Sequence, residues 1–205
     1  MPKRPGRPAR QNSANASANI VEAACLLFSR HGIRGTNYRQ VAESADVTPA
    51  MVHYYFPHKE NLYLAVLQAT FDSLMQSLEH TRNLEEWIHG FHDHVLTHSW
   101  CPHLMLREVM PHDGGLRELF LERYGPRVFG SVKAMVKQEF REAGVSRKLD
   151  ADRHVVLLVG MLVYPFLGQE VAQTLTGKTF DQRMMQRFRD DALALFRARV
   201  VQIQQ

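Results

Sequence analysis

The chain has 205 residues, enough for one unit or two closely packed ones with a buried core, and carries a net charge of +4 at pH 7. A membrane span needs about eighteen consecutive apolar residues, and the longest apolar run, Val155 to Leu167, is thirteen and reads as a buried helix. Lys3, Arg4, Arg7 and Arg10 have no apolar stretch behind them and so form no secretory signal, and two cysteines, Cys25 and Cys101, are too few for a disulfide framework; a cytoplasmic protein with no membrane partner is expected.

The first 17 residues, with PKRPGRPAR proline-rich and free of acidic side chains, read as a flexible basic arm able to lie along a nucleic-acid groove. Ser17 to His31 reads as the first helix: Ile20, Val21, Ala24, Cys25, Leu27 and Phe28 form one apolar stripe, and Gly32 ends it. Thr36 is the expected N-cap of a second helix of about two turns carrying Val41, Ala42 and Ala45. Asp46-Val47 breaks that helix, Asp46 being able to take the left-handed conformation of a sharp corner. Thr48-Pro49 then supplies the N-cap and first residue of a very short third helix, which stops before Pro57. Lys59 opens a long helix running to about His80.

Two short helices joined by so tight a corner are a helix-turn-helix, whose second member fits the major groove of DNA. The short helix offers Thr48, Ala50, Met51, His53 and Tyr54 and no acidic residue. Charge agrees with that reading. Residues 1–60 hold eight Lys or Arg against four Asp or Glu, whereas residues 61–205 hold seventeen of each, so the whole positive excess lies at this end. The expected DNA contacts are Arg39, Thr48, Pro49, Ala50, Met51 and His53, with Tyr54 and Lys59 on phosphates; Phe56 reads as core.

The spacing of Thr36, Val41-Ala42, Ala45, Val47-Thr48, Tyr54, Phe56, Lys59-Glu60 and Leu62 resembles the tetracycline-repressor (TetR) family of transcriptional regulators over residues 18–66. Asp46 and Ala50 depart from it, standing where glycine is common. The resemblance implies a double-stranded DNA operator, a homodimer and a small-molecule effector held in a helical body. The chain is therefore expected to be all-α, with a basic arm at 1–17, a three-helix helix-turn-helix head at 18–64 and a ligand-binding and dimerisation body at 65–205.

Beyond the head, helices are expected at about Leu84–Ser99, His103–Met110, Leu116–Glu142, Ala151–Leu175 and Asp181–Gln202, the third kinked at Gly125-Pro126 and the fourth at Pro165. The last two carry more apolar surface than one core uses, and the resemblance implies that they pair with their copies in a second subunit as a four-helix bundle. Val159, Phe188, Leu195 and Phe196 are the expected interface. Phe71, Met75, Trp87, Phe91 and Tyr124 are the expected lining of an effector pocket for an apolar or aromatic molecule.

A competing signal is the His-rich segment 89–103, with His89, His92, Asp93, His94, His98, Cys101 and His103, in which His94 and His98 stand one helical turn apart. A metal-responsive regulator is the alternative reading it supports. No glycine-rich phosphate loop, serine elbow or paired carboxylate motif appears, so neither an enzyme nor a cofactor is expected.

Overall fold

Capping residues and prolines set where each helix begins. The computed structural model describes residues 10–145 and 150–202, and among these are eleven helices and no strand. They are α1 (Arg10–His31), α2 (Tyr38–Ser44), α3 (Pro49–Tyr55), α4 (Lys59–Leu78), α5 (Leu84–Thr97), α6 (Cys101–Glu108), α7 (Arg117–Arg123), α8 (Gly125–Glu142), α9 (Ala151–Leu167), α10 (Gln169–Thr176) and α11 (Gln182–Gln202). No single described helix is long and apolar enough to cross a membrane.

The all-α expectation holds, and three boundaries differ from the sequence reading. First, α1 starts at Arg10 instead of Ser17, because the last proline of the tail is Pro8 and nothing from Arg10 onward breaks a helix. Residues 10–17 of the expected arm therefore lie in α1, and residues 1–9 lie outside the described residues. Second, the single kinked helix expected over Leu116–Glu142 is two helices, with Pro126 in the first turn of α8, where its missing N–H costs nothing. Third, α9 continues past Pro165 and breaks at Gly168, where the axis turns by 69° into α10.

The chain divides into two units. The first comprises residues 1–69 and Leu104–Arg117, and the second comprises Thr70–His103 and residues 118–205. Residues 104–117 therefore group with the head, which the expected division at residue 64 did not include. In the first unit α1, α2 and α3 pack together around Ile20, Ala24, Phe28, Val41 and Val52. In the second, α9 packs against α8 and α11, and α5 against α8 and α11, around Trp87, Val136, Phe140, Leu158 and Leu162. Each such fully buried side chain contributes about 2 kcal/mol of apolar burial.

Candidate functional site

The corner between α2 and α3 is built by backbone hydrogen bonds. Val47 N–H donates to Ala42 O at 2.9 Å and Asp46 N–H to Glu43 O at 3.3 Å, the paired pattern that closes a helix with one left-handed residue. Asp46 is that residue, at φ +53°, and it is the sole described non-glycine residue with positive φ. Glycine is favoured there because it has no Cβ to clash, and a short polar side chain is the next least costly solution. Thr48 then caps α3, its Oγ1 accepting the Met51 N–H at 3.3 Å, with Pro49 in the first turn. Thr36 does not cap α2, as the sequence suggested. It is buried and donates its hydroxyl to Gly32 O at 2.8 Å, while Asn37 caps α2 in a reciprocal box with Gln40. Asparagine one position later competes for the same role and wins because Thr36 is drawn into the α1–α2 turn.

Val52 is the buried anchor of α3, so the opposite surface of the helix is free. Pro49, Ala50, His53 and Tyr54 are exposed there, Tyr54 to 79%, and Met51 is half-buried. Arg39 on α2 and Lys59 at the start of α4 are exposed and have no ion pair among the described residues. Tyr38, the first residue of α2, is the strut of this surface. Its hydroxyl donates to Phe56 O at 2.8 Å, 18 residues away, and its ring meets His53 edge-on at 4.7 Å. Burial, followed by the Glu60 carboxylate, raises the pKa of its phenol, so the hydroxyl keeps the proton it donates. Phe56 is buried, as expected.

In the second unit a cleft of about 470 Å³ opens between α4, α5 and α8. Met75 and Trp87 of the expected set line it, together with Asp72, Gln76, Glu79, Arg127 and Ser131, which were not anticipated. Phe71, Phe91 and Tyr124 do not line it. Phe71 lies against Tyr124 at 5.2 Å and Phe120 at 5.1 Å, and Phe91 stacks on Trp87 at 5.1 Å, so these three rings act as packing. Trp87 donates its Nε1–H to Ser131 Oγ at 3.0 Å.

Residues 20–66, from the second half of α1 through α3 into α4, match the family model described as bacterial regulatory proteins, tetR family. Over this segment the chain carries the DNA-binding region of the TetR family. The transcriptional regulator RutR of Escherichia coli K12 is 42% identical over 77 residues, which is 38% of this chain and 36% of RutR, so the alignment spans about a third of that relative. The transcriptional repressor SCO4008 of Streptomyces coelicolor is 26% identical over 161 residues, covering 78% of this chain and 83% of its own. Among solved structures, HlyIIR, a hemolysin II transcriptional regulator, superposes with a TM-score of 0.61 at 21% identity over 87% of this chain and 97% of its own. PfmR of Thermus thermophilus does so with a TM-score of 0.60 at 18% identity over 90% and 96%. These two likenesses concern the fold.

In this TetR-family chain the last helices leave an apolar surface uncovered. Val156, Leu157 and Tyr164 of α9 and Leu195 of α11 are exposed, Tyr164 to 71% and Leu195 to 63%. Val159 and Phe188 are half-buried, the latter against Phe180 at 5.2 Å. Phe196 is a correction: it is 4% exposed, parallel to Phe140 at 6.1 Å and edge-on to His154 at 6.1 Å, and so belongs to the core of the subunit. Leu195 and Phe196 are adjacent and point about 100° apart, and only Leu195 is turned outward here.

The His-rich segment does not gather its donors. No group of three His, Cys, Asp or Glu side chains among the described residues is arranged to hold a metal ion. His92 is buried with Nε2 3.0 Å from Met185 O, and Cys101 is buried, its thiol pushed up to about 12 by desolvation. His94 is buried and stacked on His98 at 4.3 Å, and burial followed by His98 lowers its pKa to about 4. His92 and His94 are thus core histidines.

Proposed function

We propose that this TetR-family regulator is a dimeric repressor that holds a palindromic operator through α3 and is released when a small molecule occupies the cleft between α4, α5 and α8. The observation that carries the reading is the outer face of α3. Pro49, Ala50, His53 and Tyr54 are exposed on a helix whose inner residue Val52 is anchored and whose corner is rigidly capped. Such a helix is presented to a groove, and Pro49, Ala50 and Met51 at its N-terminal end are suited to base edges, as are Arg39 and Thr48 beside it. Tyr54 and Lys59 are placed for phosphates, Lys59 adding an ammonium to the positive end of α4.

The dimer reading is supported by the exposed stripe of Val156, Leu157, Tyr164 and Leu195, since contiguous apolar surface on two adjacent helices is stabilised by burial against a partner. The effector reading is supported by the cleft and by α4, one continuous helix that begins at Lys59 and carries Asp72 and Met75 on the cleft wall. A ligand there regulates only by its differential affinity for two states of the protein. The expected coupling is about 1 to 3 kcal/mol and reciprocal between ligand and DNA.

Sequencing of DNA fragments retained by the purified full-length protein tests the reading. The expected product is a two-fold symmetric sequence with half-sites about 34 Å apart, or a multiple of that spacing. Retention of fragments without any shared sequence would overturn it.

A further inference from the structure

The cleft between α4, α5 and α8 has a charge pattern that names its ligand. On its α4 wall stand Asp72, Met75 and Gln76, with Glu79 in the turn that follows the helix, and Arg127 is the one cationic residue on the α8 wall. Two carboxylates thus face one guanidinium. They are not equivalent. Burial, followed by the Asp72 carboxylate, raises the pKa of the Tyr124 phenol, so Asp72 has a neighbour at its end of the cleft. Glu79 stands seven residues further along, about 10 Å at 1.5 Å per residue, with no ion pair among the described residues. Helix α4 ends at Leu78, whose carbonyl accepts the Thr81 N–H and hydroxyl, so the Glu79 carboxylate is the free negative charge at this end of the cleft. The thioethers of Met75 and Met135 supply adaptable apolar wall between these ends.

We propose that this cleft takes a small organic cation, with an ammonium group against Glu79 and the end of α4 and an apolar body between Met75 and Met135. The proposal rests on the effector reading above and changes the expected ligand class from a purely apolar or aromatic molecule to a positively charged amphipathic one. An anion entering the same space meets the Glu79 carboxylate without compensation, and a neutral apolar molecule gains no attraction from it.

The test uses three probes of one skeleton, 2-phenylethylammonium, propylbenzene and 3-phenylpropionate, titrated into the full-length protein by calorimetry and followed by tryptophan fluorescence, since Trp87 lines the cleft. The cation is expected to bind about tenfold more tightly than either of the others, a difference of one logarithmic unit in Kd. Glu79→Gln should weaken the cation about three- to fivefold, the range of a partly exposed charge pair, and leave the neutral probe unchanged. Glu122→Gln, at an exposed carboxylate on α7 outside the cleft, should change neither. Equal or tighter binding of the anion or the neutral probe, no binding by any probe, or a cation affinity untouched by Glu79→Gln overturns the proposal. Retention of operator DNA separates it from the effector reading. If the cation binds through Glu79 and leaves retention unaltered, the cleft assignment stands and the release mechanism falls. If the neutral or anionic probe releases DNA with Glu79 irrelevant, the release mechanism stands and the cation assignment falls.

Discussion

Glu108 Oε1 accepts the backbone N–H of Ile33 at 2.9 Å, across 75 residues of sequence. The other carboxylate oxygen takes the Gly115 N–H at 3.2 Å, and the group is buried at 6% exposure. One carboxylate thereby satisfies two backbone donors and fixes the turn after α1 to the end of α6, both within the first unit. Gly32 makes the approach possible: its φ is +75°, and a Cβ there would lie 2.8 Å from Glu108 Oε1. Arg34 and Asp113 add an exposed ion pair at 3.0 Å, which contributes little by itself. Glu108→Ala leaves the buried Ile33 N–H without a partner, at a cost of about 1 to 3 kcal/mol, while the N–H of the exposed Gly115 can turn to water. A fall in Tm of about 4 to 10 °C is expected in scanning calorimetry, with Arg34→Ala shifting it by less than about 2 °C. Equal shifts for the two variants would show that the carboxylate is not the principal tie.

Asp46 occupies the left-handed position of the corner at φ +53°. Asp46→Gly should be neutral or stabilising by a few tenths of a kcal/mol, whereas Asp46→Val should cost about 1 to 2 kcal/mol because a β-branched side chain clashes there. Urea denaturation of the two variants decides between them. A Val variant as stable as the Gly one would mean that the corner adopts another conformation in solution.

Lys59 and Met51 separate positioning from reading. Lys59→Ala is expected to weaken all DNA sequences about equally and to reduce the salt slope by about one, while Met51→Ala changes the preference among sequences. Filter binding over a range of salt concentrations measures both. An unchanged slope for Lys59→Ala would remove it from the phosphate contacts.

Leu195 and Phe196 are neighbours with opposite fates. Leu195→Glu places a charge on the exposed α9–α11 surface and should give a folded monomer at low micromolar concentration. Phe196→Glu places one in the core beside Phe140 and should unfold the subunit. Sedimentation velocity with circular dichroism distinguishes the two results, and a Leu195→Glu variant that remains dimeric would move the interface elsewhere.

His94 makes stability depend on pH in a defined direction. Its pKa falls from 6.5 to about 4 on folding, so the folded state holds it neutral while the unfolded chain binds a proton below about 6.5. Stability is fully present above about pH 6.5 and is lost as pH falls toward 4. The full window is worth on the order of 3 kcal/mol at about 1.4 kcal/mol per unit. His92, lowered mainly by burial and then by Arg189, acts in the same direction. Urea midpoints at pH 7.5 and 5 should differ, and by less in His94→Phe; an identical difference in that variant would assign the effect to other groups.

What the sequence by itself determined lies within a few residues of chain. Asp46 at the corner, Thr48-Pro49 opening α3, Phe56 before Pro57 and Lys59 opening α4 are legible because caps, left-handed residues and prolines act through neighbouring backbone atoms. The basic balance of the first 60 residues and the absence of strand periodicity are properties of the string itself. Only the tertiary structure decided which side of a broad apolar stripe turns inward. Leu195 and Phe196 are equally apolar, and Phe140 and His154, brought in from α8 and α9, select the second for the core. The same holds for Thr36, taken from its capping position into the α1–α2 turn, and for Glu108, whose partner lies 75 residues away. The polarity of the cleft belongs here too. Asp72, Glu79 and Arg127 look like ordinary surface charges in the sequence, and they line one cleft only because α4 and α8 bring them to one space.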